Sequence, residues 1–503
     1  MLEVLSLGEV FKETAKHYRG IREWILELDT YKNVPKVRGR RTIAKIKTRA
    51  LHALIDAGQA VEIAAEDVLG TVNIFLRAEH HKHRLRVLKE TELINEFISK
   101  LESPKTVLST PMEADATALR QKYQAQCDFK AFFDQILLSL DVSRMMCFQC
   151  NQKWYRCTRL PMGQRQAVFV AQTIASIIAY VPGHNVDTNV YVDNIRVAGE
   201  TREEVAAAMK EILERAIRAS VTVNELGEKQ EVTDEIVNGM VKTREEWLGR
   251  DYDFEEKTVK VGTKTIEKVK AMRGLKKWTW QNVAAIYGLL FYCNSVTKES
   301  LASKYSALRF HSRMMARDDI HWSQEAEIWT TARDQLAEWM DEVVENKPRD
   351  LRQAVRTVDY TMVTDASDWG WGAAVLNMHT GRVKVHRGRW PPGTTWSKRS
   401  TTAETETIYR AVCASVAPSA NCKIMVHTDN MTTKMVLQKK RSPSLEVNAV
   451  AARLSRHFPG VVFDSEHIPG VDNFVDHVSR GKEIDMSLIH GGFAGLTGKH
   501  PSA

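Results

Sequence analysis

Hydrophobic and polar positions change their spacing several times along the chain, and the changes predict its organisation. Residues 1 to about 50 read as helical and then basic. LHALIDAGQAV, from Leu51 to Val61, has a helical pattern that Gly58 stops, because glycine accepts the left-handed conformation at a helix end. Up to about Gly249, β-rich runs alternate with helical ones. A short charged strand region follows in YDFEEKTVKV, and a helical stretch after it carries Trp278, Trp280, Tyr287, Phe291, Tyr292, Trp322, Trp329 and Trp339. Aromatic residues at helical spacing read as helix core rather than as a stacking platform. ENKPRDLRQ, around Pro348, reads as a linker. Strands and helices return from about Val358 to Gly481, and GGFAGLTGKHPSA reads as a loose tail. The expected segments are therefore 1–50, 51–250, 251–350, 358–481 and 482–503, without an internal repeat.

A chain of 503 residues exceeds what one hydrophobic core supports, so several domains are expected. The net charge of +8 is mild, and only hints at a polyanionic partner. The basic residues Lys32, Lys36, Arg38, Arg40, Arg41, Lys45, Lys47 and Arg49 nevertheless fall in one stretch without Asp or Glu. Alone this reads as a solvated arm; beside a polyanionic partner it becomes a phosphate-contacting segment. Seven scattered cysteines argue against a disulfide framework and for a reducing compartment. Cys147, Cys150 and Cys157 have zinc-like spacing but no evident fourth ligand, and they read as packing residues of a strand. No apolar run is long enough to cross a bilayer, and the N-terminus lacks a secretory pattern, so an intracellular protein is expected.

Candidate chemistry enters with carboxylates at the ends of predicted elements. Asp365 ends a β-rich run in TMVTDASDWGWGAAVL, and the glycines after it suggest a turn into a second strand. Glu404 lies in TTAETETIYRAV, where Thr401 or Thr402 is expected to cap a helix. Asp429 follows the strand-like KIMVHTD, and Asp476 lies in NFVDHVSRG. Phosphodiester hydrolysis must stabilise charge on both the attacking and the leaving oxygen, which two Mg²⁺ ions about 3.5–4 Å apart achieve. Mg²⁺ takes hard carboxylate oxygens and retains waters, so four acids from separate elements suffice.

These motifs resemble the ribonuclease H domains attached to retroelement reverse transcriptases, over about residues 358–481. TDAS with GWGAAVL is similar to that family's first strand and hairpin, AETETIYRAV to its first-helix motif, VHTDN to its third acidic motif, and HIPGVDNFVDHVSRG to its closing motif. The resemblance implies metal ligation by Asp365, Glu404 (not Glu406), Asp429 and Asp476, with His467 as the mobile histidine of product release. The gap from Asn473 to Asp476 is one residue shorter than the family's, and the loop before the helix is expected to absorb it.

A second set lies between Leu51 and Gly249. CDFKAFFDQI takes Asp128 from a short strand into a helix-like run, LPMGQRQAVFVAQ is a turn entering a helix, and VYVDNIRVAG reads as a hairpin around Asp193 and Asn194. Asp128 and Asp193 are expected on adjacent strands, where nucleotidyl transfer needs the same two-metal arrangement. The set resembles the palm domain of reverse transcriptases: DFKAFFDQI its first motif, LPMGQ its second, YVDN its Tyr–x–Asp–Asp motif, and ASVTVNELGEKQ and EWLGRDY the motifs that follow. RVLKETELINE has that family's spacing from an arginine to an asparagine. The resemblance implies that Arg86 contacts the incoming triphosphate, helped by Arg77 or Arg84, that Phe133 is the steric gate under the sugar, and that Gln164 lies near nucleotide or template. Asn194 replaces the usual second Asp; it keeps a carbonyl oxygen but removes one negative charge. The proline usual a few residues after Gly163 is also missing.

Together the two resemblances imply an α+β multidomain chain: a right-hand polymerase with fingers, palm and helical thumb or connection, then an α/β ribonuclease H-like domain with a mixed sheet. The element is expected to be a retrotransposon of LTR type or of the DIRS/VIPER-like tyrosine-recombinase type. The implied cofactor is Mg²⁺, two ions per site, with Mn²⁺ as a substitute. The implied partners are RNA template, DNA primer, RNA–DNA hybrid and dNTPs, with no membrane partner and the oligomeric state left open. The implied location is the cytoplasm or nucleus, in a ribonucleoprotein or virus-like particle. The alternative is a nucleic-acid-binding or scaffolding protein with a decayed polymerase site that retains at most the nuclease.

Overall fold

A computed structural model of the chain describes residues 48–79, 84–98, 106–393 and 400–498. The basic stretch lies outside these residues except for Arg49, as does the helical reading of the first residues. The chain divides into two compact units, Met1–Glu245 with Asp253–Glu256, and Glu246–Tyr252 with Lys257–Ala503.

In the first unit, helix α1 (Thr48–Asp56) ends before Gly58, whose φ of +61° fits the expected stop. Strands β2 (Asn73–Glu79) and β3 (Arg84–Glu90) form a two-stranded hairpin, following β1 (Ala60–Ile63). Strand β4 (Tyr123–Asp128) follows α2 (Pro111–Arg120), which opens on a capping box between Thr110 and Glu113. β5 (Cys147–Cys150) and β6 (Lys153–Cys157) join β1 in the order β1-β6-β5. The three cysteines are buried free thiols; burial pushes Cys147 up to about 12 and Cys157 up to about 11, which suits packing and not metal thiolate. Helix α3 (Ala167–Ile178), AVFVAQTIASII, is apolar almost all round and fills the core. β7 (Asp187–Tyr191) and β8 (Asn194–Gly199) complete a sheet of order β4-β8-β7, covered by α4 (Arg202–Arg218).

A four-stranded sheet of order β12-β11-β10-β9 joins β9 (Arg244–Trp247), β10 (Arg250–Asp253), β11 (Thr258–Val261) and β12 (Arg349–Asp350). The linker reading around Pro348 is corrected: Arg349 and Asp350 pair with Val259 and Thr258, and Leu351 is buried. Between β11 and β12 run the helices α5 (Thr263–Arg273), α6 (Trp280–Thr297), α7 (Tyr305–Met314) and α8 (Thr330–Glu345). Trp278, Trp280, Tyr287 and Trp339 are core as expected, whereas Trp322 and Trp329 are 54% and 38% exposed.

The rest of the second unit is a mixed sheet of order β15-β14-β13-β16-β17, as the fold class predicts. Its strands are β13 (Tyr360–Ala366), β14 (Gly370–Asn377), β15 (Val383–Arg389), β16 (Cys422–Thr428) and β17 (Val461–His467). β13, β14 and β15 are antiparallel neighbours, and β13, β16 and β17 run parallel. GWGAAVL is buried throughout because both sheet faces are covered. One face packs Met362, Ala373 and Val375 against α9 (Ser400–Ser415) and α11 (Leu445–His457), with α10 (Met431–Lys439) between these in sequence. The other packs Val363, Ala374 and Leu376 against α12 (Asp476–Ser479) and α13 (Met486–Thr497). This corrects the tail reading. GGFAGLT belongs to α13, and Ile489 and Phe493 are fully buried because that sheet face needs an apolar cover. The expected caps are corrected as well, since Thr401 and Thr402 lie inside α9. Among the described residues no helix is long and apolar enough to cross a membrane.

Candidate functional site

Two carboxylate sites emerge, one in each unit. In the first, Asp128 ends β4 and its Cα partner on β8 is Asn194, so the β7–β8 turn brings Asp193 alongside. The Phe129 amide donates to the Asp193 carbonyl at 3.0 Å. The turn is tight, with Val192 at φ +57°, and the core helix α3 holds it. The Gln172 side chain accepts from Val192 N–H at 2.7 Å and donates to the Val190 carbonyl at 3.1 Å. Burial, with the neighbouring Asp128 carboxylate, pushes Asp193 up, and a hydrogen bond from Asn194 Nδ2 at 3.0 Å opposes this. Asn194 thus spends its amide on Asp193, which leaves its carbonyl oxygen as the ligand-type atom.

Two residues that the sequence reading passed over complete this site. The segment after α4 bridges antiparallel to Phe129 through Val223. Asn224 Nδ2 therefore reaches Asp128 Oδ2, and Glu225 Oε2 accepts from the Asp128 amide at 3.0 Å. Burial and Asp128 push the Glu225 acid up. Both lie in VTVNELGEK, so their motif was visible although their contacts were not.

The predicted nucleotide residues are spread along the neighbouring elements. Phe133 is buried in the short helix Phe132–Gln135 that follows Asp128 by one turn. Arg77 and Arg86 are cross-strand partners of the β2–β3 hairpin, and the Arg86 guanidinium reaches Met162 Sδ. The side chain of Arg84 lies outside the described residues. Asn95 docks the end of that hairpin on the LPMGQ loop, donating to the Gly163 carbonyl and accepting from Arg165 N–H, both at 2.8 Å. The backbone approach is close at Gly163, where a Cβ would lie 3.2 Å from the Lys89 carbonyl. Gln164 is buried and turns its Oε1 onto the Gln166 amide at 3.1 Å.

In the second unit, single ligand atoms of Asp365, Glu404 and Asp429 all lie within 4.8 Å of one another. Parallel pairing of β13 with β16 sets Asp365 and Asp429 at neighbouring strand ends. Glu404, one turn into α9, accepts from the Ala366 amide at 3.1 Å. Its other oxygen is buried and has no hydrogen-bond partner among the described residues. An orphaned carboxylate oxygen among two further acids is a donor set that fits a hard divalent cation. Burial and mutual repulsion raise Asp365 from 3.8 to about 6 and push Glu404 well above the usual carboxylate range. Glu406 is instead neutralised by Arg410 and Arg453.

The closing segment supports Asp365 more directly than it extends the cluster. Asn473 Nδ2 donates to Asp365 Oδ1 at 3.2 Å, and the Ser479 hydroxyl donates to Asp365 Oδ2. Gly372 makes room for this approach: a Cβ there would meet the Ser479 amide nitrogen at 2.6 Å. The short gap after Asn473 is taken up by a 3₁₀ turn, Gly470–Asp472, and by starting α12 at Asp476 itself. Asp476 is not one of the three clustered acids. Arg480 binds both its oxygens at 2.8–2.9 Å and holds its acid below the usual range. His467 ends β17 with Nε2 3.0 Å from the Asp429 carbonyl.

Residues 78–248 match the family of reverse transcriptases (RNA-dependent DNA polymerases). No curated protein matches the chain. Among solved structures, the foamy viral protease–reverse transcriptase dRH in complex with double-stranded DNA is 12% identical, with a TM-score of 0.51 over 86% of this chain and 72% of that one. The foamy viral protease–reverse transcriptase with an RNA/DNA hybrid is 14% identical, with a TM-score of 0.49 over 86% of this chain and 55% of that one. The same viral protein with double-stranded DNA, also 14% identical, gives 0.48 over 88% and 93%. At these identities the likeness is one of fold.

Proposed function

We propose that the chain synthesises DNA on RNA or DNA templates and degrades RNA in RNA–DNA hybrids, as the reverse transcriptase–ribonuclease H of a retrotransposon of LTR or DIRS/VIPER-like type. What carries the reading is one combination: a reverse transcriptase match over residues 78–248 in a chain whose second unit gathers Asp365, Glu404 and Asp429. Asp128 and Asp193, with the Asn194 carbonyl, would hold the polymerase ions, and Asp365, Glu404, Asp429 and Asp476 those of the nuclease. Mg²⁺, or Mn²⁺ in its place, would stabilise charge on the attacking and leaving oxygens. The chain's own residues select and place the reactants. Phe133 would exclude a 2′-OH, Arg86 would neutralise the triphosphate, Asn473 and Ser479 keep Asp365 aimed, and His467 would assist product release.

Labelled-primer extension on RNA and hybrid cleavage, measured in one reaction with Mg²⁺ and with Mn²⁺, test both halves. Asp193→Ala is expected to abolish extension and spare cleavage, and Asp429→Asn to do the reverse. Extension that survives Asp193→Ala sinks the polymerase assignment, and cleavage that survives Asp429→Asn sinks the nuclease. Asn194 favours a second reading, a decayed polymerase. It predicts hybrid binding without incorporation, and no rescue by Asn194→Asp.

A further inference from the structure

The helical part of the second unit encloses a cavity of about 400 Å³ whose walls include Trp280, Phe310, Arg313, Arg317, Glu327 and Trp329, none of them a residue of the carboxylate sites. Its frame is fixed by backbone pairing. Trp280 N–H donates to the Gln324 carbonyl at 3.1 Å, Gln281 N–H to Trp322 at 3.0 Å, and Ala326 N–H to Trp278 at 2.8 Å. The floor is aromatic, with Phe310 parallel to Trp280 (3°, 6.1 Å) and edge-on to Trp329 (82°, 5.4 Å). Two guanidiniums roof it: Arg313 lies 4.8 Å over the Trp329 ring and Arg317 5.1 Å over Trp280.

We propose that this cavity binds one unpaired nucleotide of a single-stranded nucleic acid. The base stacks on the Arg313–Trp329 layer, the phosphate pairs with Arg313, and Glu327 accepts from an amino group on the base edge. Three observations select this occupant. The indole faces already carry guanidiniums, which opposes a cationic ligand and offers a flat, positively charged plane to a π-face. Arg317 is engaged by Asp319 at 2.9 Å, but among the described residues no carboxylate pairs with Arg313, so its charge is available. Helix α7, YSALRFHSRM, carries no acid, and it lends Phe310, Arg313 and Met314 to this wall. A nucleotide supplies both the flat face and the anion that such a wall complements, and the volume suits one of them. From the proposed function this inference takes only that the chain meets nucleic acid. It holds whether or not the polymerase is live.

The test titrates the full chain with short fluorescein-labelled oligouridylate, oligothymidylate and a blunt duplex of the same length, over a range of salt. Arg313→Ala and Trp329→Ala should each weaken single-strand binding about fivefold or more, on RNA and DNA alike, with duplex binding and hybrid cleavage unchanged. Arg313→Ala should also lower the salt slope by about 0.7. Arg313→Lys should restore the slope but not the affinity, because an ammonium does not stack. Native-like single-strand binding by Arg313→Ala overturns the proposal. So does parallel loss of single-strand and duplex binding, or full recovery in Arg313→Lys. Arg313 is exposed, so its variants decide the matter even if Trp329→Ala fails to fold. Primer extension by the unaltered chain, run beside the titration, scores the polymerase reading separately from single-strand binding.

Discussion

Replacing Asp365 by Asn should remove hybrid cleavage and yet stabilise the metal-free protein. The Asp365 acid is raised from 3.8 to about 6 by burial and by Asp429 and Asp476. Because the folded value lies above the unfolded one, ionisation opposes folding. The penalty is absent below about pH 4, grows as pH rises to about 6, and is complete above that, where it amounts to about 3 kcal/mol. Asparagine keeps the shape and removes the charge. It also weakens the hydrogen bonds that Ser479 and Asn473 give to a charged acceptor, which costs about 1–2 kcal/mol. A net gain of about 1–2 kcal/mol at pH 7.5 corresponds to a Tm higher by roughly 2–8 °C for a unit of this size. The assay is thermal unfolding of both proteins in chelator, at pH 7.5 and pH 4. The gain should vanish at pH 4, and Mg²⁺ at pH 7.5 should raise the Tm of the unaltered protein more than that of the variant. A variant less stable at pH 7.5, or one whose advantage is the same at both pH values, would refute the reasoning.

Phe133→Ala should raise ribonucleotide incorporation at least about tenfold relative to deoxynucleotides in single-nucleotide extension, since discrimination by an absent clash is worth more than about 1.4 kcal/mol. Phe493→Ala should cost about 3–5 kcal/mol in denaturant unfolding, because the ring is fully buried and packs edge-on against Phe474 at 5.2 Å. Lys89→Met should raise stability by about 1–3 kcal/mol: among the described residues the buried ammonium has no hydrogen-bond partner and meets an exposed Asp134 oxygen at 3.8 Å. If that change lowers Tm, the ion pair is worth more than its desolvation. Asn194→Asp should lower the Mg²⁺ concentration for half-maximal extension severalfold and leave hybrid cleavage unaltered, whereas a dead site would not respond.

Local pattern carried the strands that hold Asp128 and Asp365, the hairpin around Asp193 and the stop at Gly58, because each depends on residues close in sequence, whereas the mixed sheet came from the family resemblance. The choice of Glu404 over Glu406 came from the resemblance to the ribonuclease H helix motif; in the structure Glu406 pairs with Arg410 and Arg453. What remained for the tertiary structure was whatever depends on a neighbour far along the chain. Gly, Ala and Phe in GGFAGLT read as loose until the uncovered sheet face gives Phe493 something to bury against. Pro348 reads as a break until β11 offers its neighbours a strand to pair with. Asn224 and Glu225 acquire a role only when Val223 bridges to Phe129, about a hundred residues earlier. Asp476 carries the right motif, but its side chain answers to Arg480 one turn away. Sequence alone determined which carboxylates were candidates, since chemistry restricts the residue types. Tertiary packing decided which of them share a site, since only it sets the distances and the burial through which charges act.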